Sequence, residues 1–205
     1  MTHNFEDFKE QMQHEISSCC IILSSYGYKL DGNNGIKTKL RIVDSGNNSP
    51  KSFDYIQLYN NKIFFIEFSD LEAQYSQLNG RHSNVQERIK DLPLCDYKSI
   101  NKILKAERQI EDEVTGKIND TDFILREIVN KELLQNFVDL EKERHIFIVW
   151  HSTNPDEIDL ARIFEDLRGK IISKISRFNL KYMGGIPIYF LTVETYQTRY
   201  GSAMK

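Results

Sequence analysis

The chain is poor in cysteine and proline, holds a single tryptophan, and carries no excess of positive charge. Its 205 residues include three cysteines and four prolines. Cys19 and Cys20 are adjacent and Cys95 stands far away. That spacing fits neither a zinc site nor a disulfide framework, so a reducing compartment and a cytoplasmic location are expected. No apolar run approaches a membrane span, and the opening THNFEDFKEQ is too polar for a secretory leader, so no membrane partner is expected. The formal net charge is -3, which excludes a global basic field; any contact with nucleic acid must use local patches. His3, His14, His82, His145 and His151 are scattered with no HExxH pair. There is no GxSxG nucleophile motif, and Gly184-Gly185 precedes a strand pattern rather than a helix, so it is no phosphate loop. Hydrophobic content of 40% and charged content of 28% are ordinary for a globular chain of one sizeable domain.

What is present centres on Phe53 to Asp70, FDYIQLYNNKIFFIEFSD. Two strand patterns are joined by Asn60-Asn61, a residue type that tolerates the left-handed backbone of a tight hairpin turn. With these two as the loop, Tyr59 faces Lys62, Leu58 faces Ile63, Ile56 faces Phe65 and Asp54 faces Glu67. Alternation then places Asp54, Ile56, Leu58, Ile63, Phe65, Glu67 and Ser69 on one face. Two carboxylates oppose each other on an otherwise apolar surface. That arrangement is destabilising unless a cation, a proton or solvent compensates it.

Along the rest of the chain, Phe5, Phe8, Met12, Ile16, Cys19 and Leu23 recur at helical spacing and predict a helix over 4–25. Asn4 is its expected cap, Gly27 its expected stop, and Glu15 lies at the margin of its apolar stripe. Ile36 to Val43 alternates and predicts a strand with Lys37, Lys39 and Arg41 on its outer face. IFFIEF, apolar on both faces apart from Glu67, predicts a central strand. Residues 71–144 read as mainly helical, with a short helix ending near Gly80. Two charged helices follow, 97–114 and 122–143, separated by a TGKINDTD loop. Part of this region, 98–144, is longer than a crossover needs and suits an insertion that meets a protein partner. HIFIVW predicts a second buried strand. A helix follows from a cap at Asn154 to about Phe178, with Ile163, Leu167, Ile171 and Ile175 inward. Its other side carries Lys170, Lys174, Arg177 and Lys181, either a solvated face or a phosphate-contacting stripe. IPIYFLTV predicts a last strand, and ETYQTRYGSAMK a polar tail.

The order is helix, three-strand antiparallel meander, helical region, strand, helix, strand. It predicts an α/β domain with a central mixed sheet flanked by helices. In this order and in its acidic hairpin the chain resembles the PD-(D/E)XK nuclease superfamily, the restriction-endonuclease-like fold. In that family an acid early in the second strand and a D/E-x-K triplet on the third hold a divalent metal, sometimes helped by an acid on the first helix. The resemblance implies Asp54 and Glu67 as catalytic and metal-binding acids, Glu15 as the helix acid, Mg²⁺ as the cofactor and DNA as the partner. Asp70 and Glu72 are further candidate ligands or bases.

The triplet here reads Glu67-Phe68-Ser69, so Ser69 stands where the family has its lysine. That lysine helps orient the attacking water and stabilises charge on the phosphorane, which a serine cannot do. Lys62 belongs to the opposite face and Gln74 is neutral. Three readings follow. The first is a nuclease-fold protein with impaired catalysis, serving as a DNA-associated or assembly subunit of a bacterial DNA-processing or defence complex. The second is a working Mg²⁺-dependent nuclease. The third is a protein-binding module in which Glu67 pairs with a cation such as Arg41.

Overall fold

A computed structural model describes residues 3–16, 19–44, 46–89, 105–137, 142–151, 158–175 and 186–201. The hairpin at its centre forms in the expected register. β4 (Tyr55–Tyr59) and β5 (Lys62–Ser69) pair Tyr59 with Lys62, Leu58 with Ile63 and Ile56 with Phe65; Asn60 and Asn61 both take positive φ. The pairing continues past β4, where the Asp54 N–H donates to the Ile66 carbonyl at 3.0 Å.

Around it lies one mixed six-stranded sheet in the order β2 (Lys9–Ile16), β3 (Cys19–Lys29), β4, β5, β7 (Glu143–Trp150), β8 (Ile188–Thr192). β2 to β5 are antiparallel neighbours, and β5, β7 and β8 are parallel. A separate parallel pair joins β1 (His3–Asn4) to β6 (Leu134–Gln135). The remaining elements are a 3-10 turn at Phe5–Phe8 and helices α1 (Ile36–Lys39), α2 (Leu71–Ile89), α3 (Ala106–Asn130), α4 (Ile158–Ile175) and α5 (Val193–Tyr200). The α/β class with a helix-flanked mixed sheet is as the sequence led us to expect, and β5 is the central strand foreseen.

Side-chain alternation sorts the core into two layers. Ile56, Ile63, Phe65, Ile146, Ile148 and Ile188 face α3 and α4, against Ile110, Ile118, Leu125, Leu167 and Ile171. Tyr55, Phe64, Ile66, Phe147 and Val149 face the other way, against α5 and the folded-over β2–β3 hairpin, through Tyr196, Val193, Met12 and Leu23. Asp54 and Glu67 share the parity of the first set, so the acidic pair looks toward α3.

Five local expectations are corrected. The stretch 4–25 is not a helix. Asn4 does cap, but it caps the 3-10 turn, accepting from the Glu6 N–H at 3.1 Å while Asp7 accepts from the Asn4 N–H. The chain then turns into β2 and β3. In β3 Leu23, Ser25 and Gly27 are buried while Ile22, Ser24 and Tyr26 are exposed, a period of two that the helical count had overrun. Gly27 is no stop; Met12 packs where its Cβ would stand. The basic strand at 36–43 is the short helix α1. Lys37 is buried there, bonded to the Asp31 carboxylate at 2.6 Å and the Pro50 carbonyl at 2.9 Å. The short helix ending near Gly80 instead runs on to Ile89, and the polar tail begins as α5, capped by Thr192, with Tyr196 fully buried.

The fifth correction concerns the TGKINDTD segment. It is no loop, and α3 runs through it unbroken. Turn-forming residues are weak helix formers, but the preference is small against burial of a face. Ile110, Val114, Ile118, Thr121, Leu125 and Ile128 supply that face at spacings of three and four. The Thr115 hydroxyl is satisfied by the Glu111 carbonyl at 2.6 Å, and buried Asp122 pairs with Arg126 one turn on.

Candidate active site

Straightening α3 places Lys117 over β5. Its ammonium forms an ion pair with Glu67 Oε1, the acid of the strand triplet. Glu113, one turn earlier, lies 4.0 Å from Lys117 and accepts from Gln74 of α2 at 2.7 Å. The sheet, α2 and α3 thus meet at one polar cluster. Arg41, at φ 52 beside α1, is not the cation on Glu67.

The same helix holds the segment that leads into β4. Asp120 accepts from the Lys51 N–H at 2.8 Å, and Thr121 from the Phe53 N–H at 3.4 Å. Lys117, Asp120 and Thr121 are spaced i, i+3 and i+4, so one face of α3 sets both the lysine and the backbone that presents Asp54. Asp54 Oδ2 in turn accepts from the Phe68 N–H at 2.7 Å, which ties the first acid to the middle residue of the triplet.

Electrostatics follow from this packing. Glu67 is 7% exposed, and its Oε2 is buried without a partner. Burial first and the neighbouring Asp54 second push the Glu67 carboxyl up to about 8, against the pull of Lys117. Burial likewise raises Asp54 to about 6, opposed by the Phe68 N–H and Lys117. Burial works against the charge on Lys117, yet Glu67 and Asp54 together hold it above the ordinary lysine value. Two raised acids and one stabilised ammonium describe a site that retains a proton near neutrality.

The donor set suits a hard divalent cation. It is all oxygen, it carries up to two negative charges, and it includes a buried carboxylate oxygen with nothing to bond. Among the described residues no three His, Cys, Asp or Glu side chains form a metal-holding group. A two-carboxylate site leaves the other positions to water and phosphate, as Mg²⁺ sites do.

The other expected residues fare unevenly. Glu15 lies on β2, not on a helix, paired with Cys20 across the strand; its side chain falls outside the described residues. Asp70 caps α2 through the Ala73 N–H at 3.3 Å. Ser69 is at the end of β5 as expected, and its carbonyl is 3.4 Å from His14 Nε2. Of the basic stripe, Lys170 is exposed on α4, whereas Lys174 is tied to Asp112 at 2.5 Å and Glu111 at 3.3 Å, a bridge between α4 and α3. Arg177 and Lys181 lie outside the described residues. Lys117 was missed because its segment reads as a turn. The signal that could have found it is the stripe Ile110–Val114–Ile118–Leu125 continuing in phase through that turn.

No family model matches the chain, and no curated protein or solved structure matches it. No helix among the described residues is long and apolar enough to cross a membrane.

Proposed function

We propose that the protein is a metal-dependent nuclease of the PD-(D/E)XK type, with Asp54 and Glu67 as metal-holding acids and Lys117 in the role that Ser69 cannot fill. The observation that carries this reading is the Lys117–Glu67 contact beside Asp54. It supplies the positive charge whose absence from the triplet argued for impaired catalysis.

Mg²⁺ held by the two acids would supply Lewis-acid polarisation of a phosphodiester and draw a proton from bound water. The chain's own groups do the rest. Asp54 is fixed by the Phe68 N–H, so its second oxygen is free to bind outward. Glu67 is held by Lys117 through one oxygen and keeps the other unpaired. Lys117 is placed to stabilise negative charge building on the phosphate oxygens, in a site where burial strengthens that interaction.

The second reading, a nuclease-fold subunit without catalysis in a DNA-processing or defence assembly, draws on the same contact, since a buried ion pair can be purely structural. Cutting separates the two. Linear, nicked and single-stranded DNA are incubated with Mg²⁺ or Mn²⁺. The proposal expects metal-dependent cleavage that Glu67→Ala abolishes. No cleavage of any form would remove it.

A further inference from the structure

Asp54 opens into a cleft of about 700 Å³, at the end of the sheet where the β2–β3 hairpin folds over it. Its lining includes Gln13, Lys29, Asn33, Asn34, Asp54 and Phe68. Resting on the nuclease reading for its reactive end, we infer that this cleft receives one unpaired strand of nucleic acid, a single-stranded segment or a frayed end, rather than a duplex.

Size is the first argument. The volume falls in the range of about 300–1,000 Å³ typical of pockets for small ligands, the scale of one or two nucleotides. Charge is the second. Duplex binding is driven by neutralising phosphates, about 6–10 of them in a strongly salt-dependent complex. Lys29 of this lining is already bonded to Glu10 at 2.8 Å, and Asp31, which also lines the cleft, to Lys37 at 2.6 Å. With Asp54 as the remaining charged group, the lining has no spare cation to neutralise a row of phosphates, in a chain of net charge -3. Affinity must come from hydrogen bonds and ring contacts.

The lining offers those groups. Gln13, Asn33 and Asn34 carry amides, each with donors and an acceptor able to meet the exposed edge of an unpaired base. Phe68, half-buried, supplies a ring at the same place. Such edges and faces are available only when the base is unstacked.

The loop that presents the asparagines is pre-formed. The Gly32 N–H donates to Asp31 Oδ1 at 2.7 Å, the Gly35 N–H to the Gly32 carbonyl at 3.1 Å, and the Lys37 N–H to the Leu30 carbonyl at 3.1 Å. Gly32 takes φ +83, and a Cβ on Gly35 would collide with the Asp31 backbone, so both glycines serve this turn. A rigid loop loses little entropy when it binds. Asn33 and Asn34 are exposed on it, next to the acid that would hold the metal.

The test is fluorescence anisotropy with a labelled 12-mer DNA strand and with the blunt duplex of the same sequence. Both are measured in Ca²⁺, which occupies oxygen sites. The proposal expects the single strand to bind at least tenfold tighter than the duplex. Asn33→Ala with Asn34→Ala should lose at least tenfold of that affinity while leaving thermal stability and cation affinity unchanged. Duplex binding equal to or tighter than single-strand binding, or undiminished binding by the double variant, would overturn it. The affinities alone decide this assignment; absence of metal-dependent cutting strikes the nuclease reading instead.

Discussion

Lys117, halfway along α3, closes an ion pair with Glu67 across fifty residues of sequence. This places a helix-borne cation at the acid of a strand triplet whose own third residue is the neutral Ser69. On the proposed nuclease reading a lysine is needed near the scissile phosphate, not at one fixed place in the chain. On the strand it would rise from the same backbone as the acid; here it descends from the helix that covers them.

That difference makes relocation testable. In a Lys117→Met background, adding Ser69→Lys returns the ammonium to the strand, on the face shared with Glu67 and Asp54. Cleavage should recover at least tenfold over Lys117→Met alone, measured on the same oligonucleotide. No recovery, in a variant with an unchanged circular dichroism spectrum, contradicts the view that the two positions serve one site.

Stability should depend on pH with a definite sign. Glu67 rises from 4.5 to about 8 in the folded chain and Asp54 from 3.8 to about 6. Between the unfolded and folded values the folded state binds more protons, so stability is greatest below the unfolded values and falls as pH rises through about 4 to 8. Each such group contributes a slope of up to about 1.4 kcal/mol per pH unit. Urea denaturation at pH 5 and pH 8 should show the loss, and Glu67→Gln should flatten the upper part of it. A slope of the opposite sign in that window, removed by the same substitution, would refute the burial argument.

Cation binding should expel a proton. Burial and the neighbouring Asp54 raise the Glu67 carboxyl above the ordinary carboxylate range, so it takes up a proton more readily and must be ionised to bind Mg²⁺. Titration calorimetry at pH 7 in buffers of different ionisation enthalpy should report net proton release on Mg²⁺ binding. Asp54→Asn and Glu67→Gln should each weaken Mg²⁺ binding. Uptake of protons, or equal binding by both variants, would contradict the assigned ligands.

Thr121 should matter more than a surface threonine. It is fully buried and accepts from the N–H of Phe53, which is itself fully buried and precedes Asp54. Thr121→Val keeps the shape and removes the acceptor. Leaving that N–H unpaired should cost about 1–3 kcal/mol in urea denaturation. Cleavage should fall as well, because the backbone presenting Asp54 loses its tie to α3. A neutral result on both counts would mean that α3 does not set the position of β4.

The hairpin was legible in the sequence because every level agreed there. Asn60-Asn61 needs positive φ, the flanking alternation fits one register, and the apolar run of β5 fits a strand covered on both sides. The region 4–25 was not legible for the opposite reason. Phe5, Phe8 and Met12 satisfy a helical count, yet they belong to a 3-10 turn and an edge strand, and the alternation there buries residues such as His14, Ser25 and Gly27 that carry no apolar signal. The site was half legible. Asp54 and Glu67 are fixed by the local register, whereas Lys117 arrives by tertiary packing. Thr115, Gly116, Asn119 and Asp120 signal a turn, and burial of Ile110, Val114, Ile118 and Leu125 overrides them. Lys37 shows the same limit in the other direction: a residue typed as outer and solvated is buried on Asp31 and the Pro50 carbonyl.

The most direct measurement is the rate of Mg²⁺-dependent phosphodiester cleavage by the unaltered chain and by Lys117→Met. The account predicts metal-dependent cutting by the first and a loss of about 10²–10³-fold in the second, the range typical of removing one preorganised charge-stabilising donor. No cutting by the unaltered chain, or cutting by Lys117→Met at the unaltered rate, would contradict it.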